Sequence, residues 1–297
     1  MTDASTSPDP ADTLAALLSV LDVTPTGDTG LDFTARNLPK PGGRVFGGQV
    51  IAQALIAAGR TVPEGRLPHS LHGYFLRPGD VATPIDLTVE RLRDGRSFSA
   101  RRTHAAQDGS AILSMIASFQ ERQDGLELTE PMPDAPAPED VESAMDRMGH
   151  MDHPVARFWT HESAFDVRHV GGSIYLGPGD PDAHGGQQVW MRTRAPLPDD
   201  QLLHRALLAH ACDQIMLEPV LRRAGLSWVT PGLSVSSLDH AMWWHRDVRV
   251  DDWLLFDQRS PSAQGGRGLG ATRVFDQDGT LVASIAQEGM VRVPAEG

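Results

Sequence analysis

Gln107-Asp108-Gly109-Ser110-Ala111-Ile112-Leu113-Ser114-Met115-Ile116-Ala117-Ser118-Phe119 ends the first half of this chain. Gln277-Asp278-Gly279-Thr280-Leu281-Val282-Ala283-Ser284-Ile285-Ala286 ends the second. Asp-Gly between two β-patterned runs is a hairpin signal, because both central positions of a type I′ turn need positive φ. Each turn is preceded by an alternating stretch that opens on a Gly-Arg pair, Gly95-Arg96 in one half and Gly266-Arg267 in the other. The same turn with the same flanks in both halves indicates an internal duplication.

Upstream the halves agree in order. Ser70-Leu71-His72 begins an aromatic-rich strand through Phe75, and Ser237-Leu238-Asp239 begins another through Trp244. Ile85, Leu87 and Val89 alternate with polar residues as a half-buried strand does, and Trp253 to Phe256 takes the equivalent place later. One helix is predicted in each half, Val50 to Ala58 after Gly47-Gly48-Gln49, and Asp200 to Arg223 ending at Gly225. A short β-like piece precedes each helix, at Leu31 to Ala35 and at Gln188 to Arg192. Each half therefore reads strand, helix, four strands. That order gives an α+β fold of two tandem antiparallel sheets, each wrapped around one apolar helix. Between them, Glu130-Pro131-Met132-Pro133-Asp134-Ala135-Pro136-Ala137-Pro138-Glu139-Asp140 is rich in proline and acid, without apolar periodicity. The expected organisation is an N-terminal domain over 12–122, a linker over 123–150 and a C-terminal domain over 151–293.

The chain has 297 residues, enough for two packed domains, with 40% hydrophobic and 22% charged residues. Its net charge of −13 provides no overall basic field, so neither nucleic acid nor an anionic membrane is an expected partner. Cys212 is the sole cysteine, which excludes an intrachain disulfide and is compatible with a reducing interior. Met1 to Pro10 lacks the basic and apolar regions of a secretory signal, and Pro294-Ala295-Glu296-Gly297 is not a peroxisomal address. A cytoplasmic location is expected.

Leu202, Ala206, Ala209, Asp213, Met216 and Val220 fall at helical steps on one face of the second helix. Five of the six are apolar, so the carboxylate interrupts a face marked for burial. An unpaired acid there is costly, and two readings stand: an Asp satisfied by backbone amides or an arginine, or a catalytic acid/base. Aligning the helices from their C-terminal ends, at Gly59 and Gly225, sets Asp213 against Gly47-Gly48-Gln49, where the first half has no acid. Counting from the shared turn, Ala117 stands where the second half has Gln287. The polar pieces accumulate in the second half, which implies one site per chain.

Four separated motifs carry a resemblance. Arg44-Val45-Phe46-Gly47-Gly48-Gln49-Val50-Ile51-Ala52-Gln53-Ala54 and His69-Ser70-Leu71-His72-Gly73-Tyr74-Phe75-Leu76-Arg77-Pro78-Gly79 resemble signatures of the acyl-CoA thioesterase II family. Leu238-Asp239-His240-Ala241-Met242-Trp243-Trp244-His245-Arg246 and Val282-Ala283-Ser284-Ile285-Ala286-Gln287-Glu288-Gly289 are similar to its remaining motifs, and the match is collinear from Leu14 to Arg292. The resemblance implies a double hot-dog fold, acyl-CoA as substrate, no cofactor, no metal, and a homo-oligomer. It also implies a site made of an aspartate on the second helix, a hydroxyl on the following strand and a glutamine on the last strand. These fall on Asp213, Ser237 and Gln287, with Ser237 standing where the family usually has threonine. The chemistry is coherent on its own terms: thioester hydrolysis needs a held water and a base, and the hydroxyl and amide can orient that water or steady an oxyanion. Arg44, Arg77 and Arg96 are candidates for the CoA phosphates, and the Gly47-Gly48-Gln49 motif for further substrate contacts.

Other signals are weaker. His240 and His245 lie five apart on a strand and point to opposite faces, so they do not read as metal ligands. Gly266-Arg267-Gly268-Leu269-Gly270-Ala271 matches a dinucleotide fingerprint only superficially, because it leads into a strand. No Gly-x-Ser-x-Gly nucleophile elbow occurs, and Cys212 reads as a small buried residue. Two rival functions are a hot-dog enoyl-CoA hydratase, which would want a histidine where Glu218 stands five after Asp213, and a non-catalytic acyl-CoA-binding protein.

Overall fold

The computed structural model describes residues 9–40, 42–178 and 186–293. Helix α1 (Pro10–Leu21) opens it, capped by the Asp9 carboxylate, which accepts from the Ala11 N–H at 2.9 Å. Leu14, Leu17 and Leu21 are buried at helical spacing. This helix lies outside the elements expected from the strand–helix repeat. The first half continues with β1 (Thr24–Thr26), β2 (Asp32–Ala35), α2 (Gly47–Gly59), β3 (Arg66–Phe75), β4 (Ile85–Asp94), β5 (Phe98–Gln107) and β6 (Ser110–Glu121). After it come α3 (Ala144–Met148) and α4 (Pro154–Arg157), which runs into a wide helical turn at Phe158–Glu162. The second half has β7 (Phe165–His169), β8 (Gly186–Thr193), α5 (Gln201–Cys212), α6 (Glu218–Arg223), β9 (Ser234–Ser237), β10 (Asp239–Trp244), β11 (Leu254–Gln264), β12 (Arg267–Phe275) and β13 (Leu281–Arg292).

All pairings are antiparallel and run β1-β2-β4-β5-β6-β3-β10-β13-β12-β11-β8-β7, with β9 also on β13. The order reads alike from both ends, as a duplicated chain with a pseudo-dyad at the β3–β10 seam would give. At that seam Ala241 faces His72 and Trp243 faces Ser70. In β4, Ile85, Leu87 and Val89 point into the core, as their alternation implies. The two sheets expected from the repeat are joined at the β3–β10 seam into one, and the stretch 123–150 is pinned to its second half: Trp190 donates to the Pro136 carbonyl at 2.9 Å and Arg168 to that of Pro138 at 2.7 Å.

The two hairpins differ. Asp108 and Gly109 both have positive φ, 47° and 74°, as a type I′ turn requires. In the second hairpin only Gly279 does, at 85°, and the Asp276 carboxylate accepts from the Thr280 N–H at 2.8 Å to hold a wider loop.

The predicted single helix from Asp200 to Arg223 is two helices. Pro219 has no N–H to give the Ile215 carbonyl and its ring crowds that oxygen, so a continuous helix cannot pass. The chain instead tightens, with Gln214, Ile215 and Glu218 each donating to the carbonyl three residues back. Asp213 therefore does not interrupt a continuous buried face. It caps the end of α5 and is half-buried. The turn that follows rests directly on β12, where a methyl group on Gly270 would sit 2.0 Å from the Met216 carbonyl oxygen. The glycine-rich run that imitates a dinucleotide fingerprint is thus a floor for this turn.

Helices α2 and α5 cross antiparallel inside the sheet. Gly59 meets Leu202 at one end and Gly47 meets Asp213 at the other, while a methyl on Gly48 would lie 2.6 Å from the His210 carbonyl oxygen. The start of each helix faces the end of the other. Under the pseudo-dyad Asp213 corresponds to the end of α2, near Gly59 to Thr61. The alignment from the C-terminal ends, which matched it with Gly47-Gly48-Gln49, is corrected accordingly; those residues are its neighbours in space.

Replacing Gly270 with alanine should cost about 2 kcal/mol or more, since the clash is with backbone that cannot rotate away. Urea unfolding would measure it; wild-type stability in that variant would refute the close packing.

Candidate active site

Asp213, Ser237 and Gln287 come from three elements and meet at one point. The Gln287 amide Nε2 donates to Asp213 Oδ1 at 2.8 Å and to Ser237 Oγ at 2.8 Å, and Ser237 Oγ lies 3.4 Å from the same carboxylate oxygen. Gln287 is fully buried, whereas Asp213 and Ser237 are half-buried. Because a carboxylate only accepts, the amide must turn its NH2 toward Asp213, and Oε1 then points the other way. There it meets His240 Nδ1 at 2.5 Å.

A β-bulge makes this convergence possible. Ser237 pairs with Gly289 and Ala241 with Ala286, so one extra residue sits in the 237–241 stretch. The Asp239 carboxylate fills the gap by accepting from the Glu288 N–H at 2.8 Å. Strict alternation would turn Ser237 and His240 to opposite faces, and the extra residue brings both onto Gln287. The first half has the same bulge, between Pro68 and Ser70. Its equivalent positions carry Pro68, Leu71 and Ala117, and Arg101 opposite Ala117 takes the place of Gly270 opposite Gln287. The Arg101 side chain is buried and bonds Thr61 Oγ1 at 2.9 Å and Asp94 at 2.7 Å, whereas in the second half the backbone of the Met216 turn lies against Gly270.

Asp213 lines a cavity of about 400 Å³ with Ser237, Gly47, Leu217, Trp228 and Arg44. The second carboxylate oxygen, Oδ2, faces Gly47 at the start of α2. There the first N–H groups lack a carbonyl one turn back and carry the positive end of the helix dipole. A second, mostly apolar cavity of about 220 Å³ adjoins it, between α1, the α2 start and the Phe158–Phe165 stretch. Lys40, Phe46 and Gln214 line both and form the neck. Burial holds the Lys40 ammonium below its usual range, against the pull of Asp213. Burial, helped by Lys40, brings His210 down to about 3, so its ring is a neutral wall of the apolar cavity between Phe46 and Phe165.

Of the candidate substrate residues, Arg44 is exposed at the mouth of the larger cavity, and Gly47 lies in its wall. Gly48 serves the helix crossing. Gln49 accepts from the Leu38 N–H at 3.0 Å and donates to Asn37 at 2.9 Å, tying down the loop before α2 beside the apolar cavity. Arg77 donates to the Ala111 carbonyl at 3.0 Å and lines neither cavity. Arg96 is not brought to this site: its carbonyl accepts from Arg66, at the opposite end of β3 from Phe75. Glu218 also points elsewhere, buried and bonded to His169 at 2.8 Å and Gln187 at 2.9 Å. Reasoning from sequence missed His240, Lys40, Phe46 and Gln214. Lys40 is the one lysine in the sequence and was a usable signal; the histidine was hidden by the bulge.

The family model "Acyl-CoA thioesterase N-terminal domain" matches residues 34–120, and the model "Acyl-CoA thioesterase" matches residues 178–290. Acyl-CoA thioesterase 2 of Haemophilus influenzae is 37% identical over 255 residues, covering 84% of this chain and 88% of that protein. Acyl-coenzyme A thioesterase 8 of Homo sapiens is 36% identical over 275 residues, covering 88% and 84%. The crystal structure of an acyl-CoA thioesterase II, TesB2, from Mycobacterium marinum superposes with a TM-score of 0.75 at 38% identity, covering 95% of this chain and 99% of that one. The fold is therefore the hot-dog fold of thioesterases. The chain belongs to the acyl-CoA thioesterase II family, double hot-dog hydrolases that act on acyl-CoA.

The neutral His210 has a consequence for acid stability. Its folded-state value lies below the ordinary 6.5, so it favours the native state fully above pH 6.5 and loses that contribution as pH falls toward about 3. Between pH 7 and pH 5 the loss from this one group is about 2 kcal/mol. His210→Phe, which keeps an aromatic wall, should show a correspondingly smaller drop in urea-unfolding free energy over that interval. An unchanged drop would mean that His210 is not a buried neutral base.

Proposed function

We propose that the chain cleaves acyl-CoA by direct attack of a water that Asp213 deprotonates. The observation that carries this is the orientation of the carboxylate: Gln287 and Ser237 hold Oδ1, which leaves Oδ2 facing the cavity and the start of α2. A water bound to Asp213 and the Ser237 hydroxyl attacks the thioester carbon as Asp213 takes its proton. The developing oxyanion is stabilised by the free N–H groups and positive end of α2. Collapse of the tetrahedral intermediate breaks the C–S bond, and the proton held by Asp213 goes to the leaving thiolate, giving free acid and CoA. Arg44 and Lys40, at the mouth and neck, supply positive charge along the path of the CoA moiety.

The acyl chain occupies the apolar cavity beyond Phe46. An apolar cavity of about 150 Å³ accepts one benzene ring, so about 220 Å³ suits a chain of roughly eight or nine carbons. The wall there includes Leu17, Trp159, Ala164 and Phe165.

Asp213→Asn should lower kcat by roughly 100- to 10,000-fold with the fold retained, read as thiol release with a thiol-reactive dye. Full activity would remove the mechanism. Release with no acyl length by the wild type would favour a binding protein, and water addition to an enoyl-CoA would favour a hydratase. Ala164→Phe should move the preferred substrate to shorter chains while kcat/KM for acetyl-CoA stays within about threefold, roughly 0.6 kcal/mol. An unchanged chain-length profile would place the acyl chain elsewhere.

A further inference from the structure

His240 lies outside the three residues that the resemblance assigns to the site, yet it is the sole partner of the Gln287 amide oxygen among the described residues. It is fully buried, and its other nitrogen, Nε2, lies 3.5 Å from the Cys212 thiol. Cys212 is the residue before Asp213, so the contacts close a ring: Asp213 to Gln287, Gln287 to His240, His240 to Cys212, and Cys212 back to Asp213 through the backbone.

The protons in that ring are determined. With Gln287 Nε2 committed to Asp213 and Ser237, Oε1 accepts, and Nδ1 of His240 must donate. Burial holds the His240 imidazole below its usual value despite the opposing pull of Asp213, so the ring is neutral and carries one N–H. Nε2 is then bare, and burial keeps Cys212 a thiol able to donate to it or to the Ala209 carbonyl, 3.3 Å away.

The duplicated fold shows that the backbone does not require this histidine. Leu71 occupies the equivalent position, fully buried beside Ala117, which stands where Gln287 does. Histidine occurs where the glutamine occurs and leucine where it is absent. A glutamine without a donor at Oε1 is held through its NH2 alone, so its amide can swing and weaken the bonds it gives Asp213 and Ser237.

We propose that His240 is a positioning residue, whose Nδ1–H locks the Gln287 amide in the one orientation that serves Asp213 and Ser237. The proposal rests on the site reading given above and adds a residue that touches neither water nor substrate.

The test uses the full-length enzyme. His240→Leu copies the first half and keeps an apolar side chain of similar size. It should lower kcat roughly 10- to 100-fold, on the scale of one or two lost hydrogen bonds, with KM within about twofold. His240→Asn, which retains a donor at the δ position, should recover a large part of that loss. In a Gln287→Ala background, His240→Leu should have no further effect. Wild-type kcat in His240→Leu, no recovery in His240→Asn, or losses that multiply in the double variant would each overturn the proposal. Independently of activity and of the variants' folding, ¹⁵N NMR of the wild type should show His240 protonated at Nδ1; protonation at Nε2 would overturn it as well. If Asp213→Asn and Gln287→Ala both hydrolyse normally while the Nδ1 tautomer is observed, the catalytic reading fails and the positioning contact stands.

Discussion

Two helices can cross this closely only where one of them lacks side chains, and α2 meets that condition at Gly47 and Gly48. The crossing brings the positive end of a first-half helix against an acid at the end of a second-half helix. Neither half holds the whole of the proposed site: the second provides Asp213, Ser237 and Gln287, the first provides the α2 start and Phe46. The crossing also partitions the space around it. Phe46, Lys40 and Gln214 pinch the opening into a chamber of mixed character and a more apolar one, matching a substrate with a polar thioester and an apolar tail.

The second constraint is the break after α5. Pro219 stops a helix that would otherwise carry Asp213 past the site, and Gly270 lets the resulting turn settle onto the sheet. A cap position gives the carboxylate exposure that a mid-helix position on the apolar face would deny it. The acid can then be both held and reached, where full burial would favour its neutral form.

The repeat was legible because its signals are local. Asp108-Gly109 states its backbone conformation outright, and the alternation over Ile85, Leu87 and Val89 states a face. The three candidate residues of the second half, which the structure brings together, were legible as polar positions absent from the first half, with the resemblance naming their company. What was lost depended on long-range contacts. Pro219 is itself a local signal, but the periodicity of Leu202 to Val220 outweighed it. α1 has a cap and a leucine spacing of its own, yet no counterpart in the repeat. The bulge at Leu238 and Asp239 is visible only in the pairing with β13, and without it parity places His240 on the wrong face.

The duplication also shows how the first half comes to lack the proposed site. Both halves keep the same bulge and pairing, so the same four positions are available twice. In the first they are Pro68, Leu71, Ala117 and Arg101; in the second they are Ser237, His240, Gln287 and Gly270. A partly satisfied polar network is worse than an apolar core, so these positions are constrained to change together. Arg101 shows how the first half is completed: its guanidinium is buried and donates to Thr61, Asp94 and the Arg93 and Ala100 carbonyls. An open chamber beside it would cost packing without gaining chemistry. The first half can therefore serve as the fully packed partner, against which the second half keeps a carboxylate accessible and a buried amide turned toward it.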